Sequence, residues 1–148
     1  MKIPIGSDHA GFELKERIKT MLIERGHEVV DLGTFSTDAV DYPDYAAIVA
    51  RSIQDGTYER GILLCGSGEG VCITANRFNR VRAALIWNTE VAVTSRTHND
   101  ANILCYPAKY VNVETAERIL DIFLTTPFEG GRHERRVQKM TQLPNDLS

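Results

Sequence analysis

Ile62-Leu63-Leu64-Cys65 is a short apolar run that ends in a thiol, and Gly66-Ser67-Gly68-Glu69-Gly70 follows at once. The next segment, Val71-Cys72-Ile73-Thr74-Ala75-Asn76-Arg77, reads as helical. A strand, a glycine-rich turn and a helix in this order point several backbone N–H groups at one spot, where the helix dipole also favours negative charge. Cys65 stands at the lip of that anion hole, a placement suited to holding an oxyanion beside a nucleophile or base. The glycines fall at every second position, so the Gly-x-Gly-x-x-Gly fingerprint is absent, as is the Gly-Lys-Ser/Thr ending of an ATP loop. The pattern speaks against a nucleotide fold and for a simple phosphate or oxyanion cradle.

Three further clusters carry polar chemistry. In Gly6-Ser7-Asp8-His9-Ala10-Gly11, Asp8 and His9 could bind a hydroxyl or phosphate, or cap the helix that follows. In Ser95-Arg96-Thr97-His98-Asn99-Asp100, His98 could act as a general acid/base, since imidazole titrates near neutral pH, or the run could be only a turn. In Glu129-Gly130-Gly131-Arg132-His133-Glu134-Arg135-Arg136, Arg132 and Arg136 are spaced to share one helix face. Two guanidinium forks on one face match a phosphate dianion. The alternative is a solvated helix start with Glu129 and Glu134 as partners.

The elements that position these clusters alternate apolar runs with amphipathic segments. Strands are expected at 2–6, 28–32, 61–65, 82–87 and 101–106. Between and after them come helical patterns at 11–25, from Tyr42-Pro43 onward, after the Cys65 loop, near 90–96 and at 113–125. The first helix carries Phe12, Leu14, Ile18, Met21 and Leu22 on its apolar side, with Gly26 as its stop signal. Strands separated by helices imply βαβ units, hence an α/β fold: a three-layer α/β/α Rossmann-like domain with a five-stranded parallel sheet. The glycine-rich loop then falls near the crevice where open α/β sheets bind ligands. Pro4 resists a central strand because it lacks an N–H, so its nitrogen is expected to fall off the ladder. No repeat or linker interrupts the pattern before the polar tail after Gln142.

At 148 residues the chain reads as one domain, 1–148, with a substantial core. Hydrophobic content of 43% and charged content of 25% are those of an ordinary soluble globular protein. The net charge of −3 offers no basic stripe for a nucleic-acid partner. No leader pattern and no membrane-length apolar run is present, so no membrane partner and a cytoplasmic location are expected. Cys65, Cys72 and Cys105 are odd in number and form no Cys-x-x-Cys pair, which argues against zinc and thioredoxin-like readings. Cys105 and Cys72 read as packing residues, and Cys65 alone has the position of a reactive thiol.

In chain order these clusters resemble the type B ribose-5-phosphate isomerases and the related galactose-6-phosphate isomerase subunits. The resemblance rests on Gly6-Ser7-Asp8-His9-Ala10-Gly11-Phe12, Asp41-Tyr42-Pro43, Cys65-Gly66-Ser67-Gly68, Ala75-Asn76, His98-Asn99-Asp100-Ala101-Asn102 and Phe128-Glu129-Gly130-Gly131-Arg132-His133. It implies interconversion of aldose and ketose phosphates through an enediolate, without a metal or other cofactor, in the pentose phosphate pathway. Cys65 matches the family's thiol base, and a helix N-terminus beside a thiol favours the thiolate. The amides of Gly66, Ser67, Gly68, Glu69 and Gly70, with the Ser67 hydroxyl, would hold the enediolate oxygen. One such donor is typically worth about 3 kcal/mol. His98 matches the ring-opening residue, with Asp8 and Tyr42 near the sugar hydroxyls and Asn99 as a sugar contact. His9, Arg132 and Arg136 match phosphate-binding positions.

Some positions depart from the family pattern. A second branch uses a glutamate base where this chain has Val71, and Glu69 does not fill that position. Lys109 stands where many members carry arginine, keeping the charge and losing the fork, and Pro107 stands in place of a glycine. Ser67 replaces a threonine and retains the hydroxyl. The resemblance further implies a homodimer or a tetramer, in which His98 and the arginines reach a neighbour's Cys65 loop, with the helix and tail from about residue 132 packing on the partner. Allose 6-phosphate and galactose 6-phosphate are rival substrates. A non-catalytic phosphosugar-binding module is the reading from another class. Cys65, His98, Arg132 and Arg136 coexist in this chain, which favours a self-sufficient enzyme over half of a two-subunit one.

Overall fold

Every residue of Gly61–Cys65 and of Ile103–Pro107 is buried, and the two segments run side by side in parallel, Gly61 opposite Ile103 and Cys65 opposite Pro107. Continuous apolar runs are what parallel strands covered on both faces require. These strands sit at the centre of a computed structural model that describes residues 1–143. They are β3 and β5 of a sheet completed by β1 (Lys2–Ser7), β2 (Glu28–Asp31) and β4 (Ala83–Leu85). The order is β2-β1-β3-β5-β4, and every pair is parallel.

Side chains alternate across a strand, and the core divides accordingly. Ile62 and Leu64 of β3 face one cluster with α1 (Phe12–Glu24), α4 (Thr89–Thr97) and α5 (Val113–Thr125). Leu63 and Cys65 face the other, with α2 (Tyr42–Gln54) and α3 (Glu69–Ala75). This is the three-layer α/β/α arrangement that the alternating pattern predicts. The last helix, α6 (Arg132–Gln142), turns only His133 and Val137 inward. The polar tail read after Gln142 lies outside the described residues from position 144 onward.

Local chemistry explains most boundaries. Gly26 adopts φ +82° just past α1, as a helix-ending glycine does. Asn88 and Asn112 cap α4 and α5 by accepting the N–H groups of Val91 and Thr115, each at 2.8 Å. Pro43 sits in the first turn of α2, where its missing N–H costs nothing. Pro4 is tolerated for a related reason. Met1 and Ile5 turn their carbonyls to β2, so Pro4 turns its nitrogen toward β3, and pairing with β3 begins only at Ile5.

Three boundaries differ from the sequence reading by two residues or more, β5 beginning at Ile103 rather than Ala101. α3 begins at Glu69 rather than Val71, because Gly68 takes φ +74° and turns the chain straight into the helix. β4 is confined to Ala83–Leu85, at the sheet edge, with Trp87 already exposed. One face also differs. Lys15, on the core side of α1, is fully buried among the apolar residues.

Candidate active site

β1 connects outward to β2 on one side, whereas β3 lies on its other side, so the strand order reverses between β1 and β3. Ligands of open α/β sheets bind in the crevice at such a point, beyond the carboxyl ends of the strands. The Asp8-His9 turn leaves β1 there and the Cys65 loop leaves β3 there. They are in contact: the Asp8 N–H donates to the Leu64 carbonyl at 3.3 Å.

Cys65 is 5% exposed at the end of β3. The turn after β5 holds its loop from behind. The Ala108 N–H donates to the Cys65 carbonyl and the Lys109 N–H to the Gly66 carbonyl, both at 2.9 Å. With those carbonyls tied back, the N–H groups of Ser67 and Gly68 have no acceptor among the described residues. The first N–H groups of α3 add to them, because a helix start has no intrahelical acceptors. The Glu69 N–H is taken by the Ser67 hydroxyl at 3.2 Å, and the Glu69 side chain is exposed. Close packing holds the cradle in shape. A Cβ on Gly68 would meet Leu85 Cδ1 at 2.5 Å, and one on Gly70 would meet Tyr42 Cε1 at 2.5 Å. Tyr42, at the start of α2, therefore lies against the mouth of the loop, and the Lys109 ammonium lies beside Gly66.

On the β1 side, the buried Asp8 carboxylate accepts the Gly11 N–H at 3.0 Å, which realises the helix-entry role. His9 Nδ1 accepts the Val40 N–H at 3.1 Å, so a neutral His9 carries its proton on Nε2 as a donor. Lys15 holds the segment that reaches His9. Its Nζ lies 2.8 and 2.7 Å from the Asp31 carboxylate, which also takes Lys19 at 2.7 Å and the Gly33 N–H at 2.9 Å. Gly33 and Thr34 in turn exchange main-chain bonds with Ser7 at 2.6 and 2.7 Å. Burial pushes the Asp31 carboxyl up, but the two ammonium groups and the Gly33 N–H outweigh it and hold it below the usual range.

His98, Asn99, Arg132 and Arg136 form a second group. His98 ends α4, and the Glu129 N–H donates to the Thr97 carbonyl at 3.1 Å, which ties the start of α6 beside it. The His133 ring stacks on His98, centroids 4.2 Å apart and planes 12° from parallel. Arg132, Arg136 and Asn99 are exposed. Among the described residues neither arginine pairs with Glu129 or Glu134, since the Glu129 carboxylate lies 3.9 Å from His133 instead. Both guanidinium groups are available to an anion.

The two groups stand at opposite edges of the sheet. Cys65 belongs to the last residue pair of β3 and β5, opposite Pro107, and His98 precedes the first, Gly61 with Ile103. Four residue steps along the strands separate those edges, about 13 Å at the usual rise. One chain therefore brings Cys65, Ser67, Gly66, Gly68, Glu69, Gly70, Tyr42, Asp8, His9 and Lys109 to one end. It brings His98, Asn99, Arg132 and Arg136 to the other. It does not join them.

Cys72 and Cys105 behave as packing residues. Cys105 is fully buried, and burial followed by the neighbouring Cys72 raises its thiol well above the ordinary value. The sequence reading missed two buried charges, Lys15 and Arg96. Lys15 carried a faint signal: it follows the apolar Leu14 and sits one turn before Ile18 and two before Leu22, on a strip where a lysine needs a carboxylate. Among the described residues no group of three metal-ligating side chains is assembled, and no helix is long and apolar enough to cross a membrane.

The sheet order and the thiol above a cradle of free amides define a doubly wound α/β protein with an oxyanion-binding loop at its switch point. Residues 3–140 match the ribose/galactose isomerase family, and the chain belongs to that family. It is 44% identical to ribose-5-phosphate isomerase B of Escherichia coli over 142 residues, 96% of this chain and 95% of the relative. The crystal structure of a ribose 5-phosphate isomerase from Thermotoga maritima superposes with a TM-score of 0.93 at 51% identity, covering 96% of this chain and 98% of that one. Ribose-5-phosphate isomerase B from Mycoplasma genitalium, solved with bound ribulose-5-phosphate, gives 0.94 at 41% identity, covering 98% and 97%.

Proposed function

We propose that the protein interconverts ribose 5-phosphate and ribulose 5-phosphate at a site completed by a second copy of the chain. The observation that carries the reading is Cys65 at the end of β3, above a loop whose Ser67 and Gly68 amides have no acceptor among the described residues. Family membership and the ribulose-5-phosphate complex of the Mycoplasma genitalium relative support the substrate.

The chemistry divides among the residues as follows. His98 moves a proton from the anomeric hydroxyl to the ring oxygen and so opens the sugar. Cys65, as thiolate, takes the proton from C2. Charge then develops on O1, where the loop amides and the Ser67 hydroxyl meet it, acting in the transition state more than on the bound aldose. The thiol returns the proton to C1 while the O2 proton passes to O1, and the ketose is formed. Asp8, Tyr42 and Asn99 line the sugar hydroxyls. His9, through Nε2–H, with Lys109, Arg132 and Arg136, holds the phosphate. No metal or cofactor has a part in these steps. The location is the cytoplasm, and the working unit is a homodimer.

The supporting geometry for the second copy is the separation of the two residue groups along β3 and β5. In a twofold dimer each patch meets the other's complement, and α6, with its outward-facing arginines, is the element free to reach across.

The test is conversion of ribose 5-phosphate by purified protein in EDTA, for wild type and Cys65→Ala. Activity in wild type that disappears in the variant supports the reading. An inactive wild type refutes it, and turnover of allose 6-phosphate or galactose 6-phosphate by that same protein would redirect the substrate within the family chemistry.

A further inference from the structure

A cleft of about 480 Å3 opens at the His98 edge of the sheet, and four arginines line it: Arg60, Arg80, Arg82 and Arg96. They arrive from three places in the chain: Arg60 from the lead-in to β3, Arg80 and Arg82 from the turn before β4, and Arg96 from the body of α4. Two carboxylates, Glu59 and Asp100, share the lining. Asp100 is already committed, to Arg96 at 2.8 Å and to Arg82 at 3.4 Å. Positive charge exceeds negative charge across the cleft.

The arginines are anchored mainly by main-chain carbonyls, which orient guanidinium groups without cancelling their charge. Arg60 gives Nη1 to the Phe123 and Leu124 carbonyls at 2.6 and 3.2 Å. Arg96 gives Nε to the Thr126 carbonyl at 3.1 Å and Nη1 to the Ala101 carbonyl at 2.7 Å. Arg82 gives Nε to the Asp100 carbonyl at 2.9 Å and Nη1 to the Thr141 hydroxyl at 3.2 Å. Among the described residues, Arg60 Nε and Nη2 have no acceptor, and the Arg80 guanidinium has none at all. Burial lowers Arg60 and Arg82 from the ordinary guanidinium value, and the Arg96 charge lowers both further. Cations crowded in this way, with donor forks left over and room beside them, are a receptor for an anion.

We propose that this cleft is a second anion site, which takes a phosphate or pyrophosphate group between Arg60 and Arg80 with Arg82 and Arg96 behind it. It is distinct from the phosphate clamp assigned to Arg132 and Arg136 and does not depend on that assignment. Its back wall is Asp100, next to Asn99 and His98, and Asp100 holds φ +48° while braced between Arg82 and Arg96. An anion in the cleft competes with Asp100 for those two guanidinium groups and so acts on the turn that carries His98.

The experiment is calorimetric titration of the full chain with inorganic pyrophosphate. Wild type, Arg80→Gln, Arg60→Lys and the double variant Arg132→Ala/Arg136→Ala are compared. The double variant is expected to keep one pyrophosphate site. Arg80→Gln is expected to weaken that site about tenfold, the loss of one charge-assisted bond. Arg60→Lys keeps the charge and loses the fork, and is expected to weaken it severalfold. Arg80 is exposed and bears no side-chain bond among the described residues, so its variant retains the fold and the basal turnover of ribose 5-phosphate. Loss of all pyrophosphate binding in Arg132→Ala/Arg136→Ala overturns the proposal, because the only site would then be the clamp. Wild-type binding in both Arg80→Gln and Arg60→Lys overturns it equally. Isomerase activity is read separately, so failure of the second site leaves the isomerase reading standing, and the converse.

Discussion

The His133 imidazole lies flat on that of His98, ring centres 4.2 Å apart, with its Nε2 buried and without a hydrogen-bond partner. Burial first, then the charges of His98 and Arg132, hold His133 below the ordinary imidazole value. An imidazole that stays neutral gives His98 a flat, uncharged support. The unfolded chain takes up this proton at a higher pH than the folded one. His133 therefore withdraws stability as pH falls through about 6.5. In an NMR titration the His133 ring proton should show a midpoint below that of a free histidine, and His98→Asn should move it upward. A His133 midpoint that ignores His98→Asn would show that the stacked pair is not electrostatically linked.

The three cysteines should separate cleanly. Cys65→Ala should reduce turnover by a factor of about 10² to 10⁴, the usual contribution of a positioned base, with little change in melting temperature. Cys105→Ala, in the buried centre of β5, should lose about 1–2 kcal/mol of stability and keep its turnover. Paired melting curves and initial rates decide this, and a turnover defect in Cys105→Ala equal to that of Cys65→Ala would remove Cys65 from its special place.

A methyl group added to the cradle should act differently at Gly68 and at Gly70. Gly68→Ala meets both a positive φ of +74° and a Cβ 3.0 Å from the Pro107 nitrogen. It should cost about 2 kcal/mol or more in thermal denaturation. Gly70→Ala meets only the Tyr42 ring, which can swing away. It should leave stability near wild type and raise KM. Adding Gly70→Ala to Tyr42→Ala should then have almost no further effect, which a double-mutant cycle on kcat/KM reads directly.

Asp31→Asn leaves the buried Lys15 ammonium facing an amide. It should destabilise the protein by about 3 kcal/mol at neutral pH, as broken buried pairs do. The folded carboxyl lies below its unfolded value near 3.9, so this stability is present above about pH 4 and is lost as pH falls through the folded value. Denaturant midpoints of wild type and Asp31→Asn should converge as pH is lowered from 5 to about 2. Curves that stay parallel would place the stabilisation elsewhere.

Complementation tests the shared site. Cys65→Ala and His98→Asn are each expected to be inactive alone. Mixed within dimers, they leave one site with both native residues, so random mixing should restore about a quarter of wild-type activity. Rates that stay at the sum of the two single variants would mean that each site is built from one chain.

Much of this architecture was legible because its signals are local. Apolar runs ending in glycine or polar turns marked all five strands, and the thiol followed by alternating glycines marked the loop of β3. The buried charges were not legible in that way. Lys15 and Arg96 lie on helix faces that periodicity alone assigns to solvent or to packing; the partner of Lys15, Asp31, comes from β2, and that of Arg96, Asp100, stands four residues on in the turn after α4. The early start of α3 depended on the backbone angle of Gly68, which the residue type permits without requiring. The isolation of His98 from Cys65 follows from chain order once the sheet is parallel. A residue that leads into one strand and a residue that ends its parallel neighbour must stand at opposite ends.

That separation also makes the chain divisible by descent. Each edge of the sheet carries its own residue set on its own loops, with a buried strand layer between them. After a gene duplication, one copy could lose the thiol edge and the other the imidazole edge without either losing its fold. On the proposed shared-site arrangement, the pair would still assemble one working centre. A homomeric ancestor with this layout is one mutation in each copy away from obligate dependence between two genes, and reversal would need both losses repaired in a single chain.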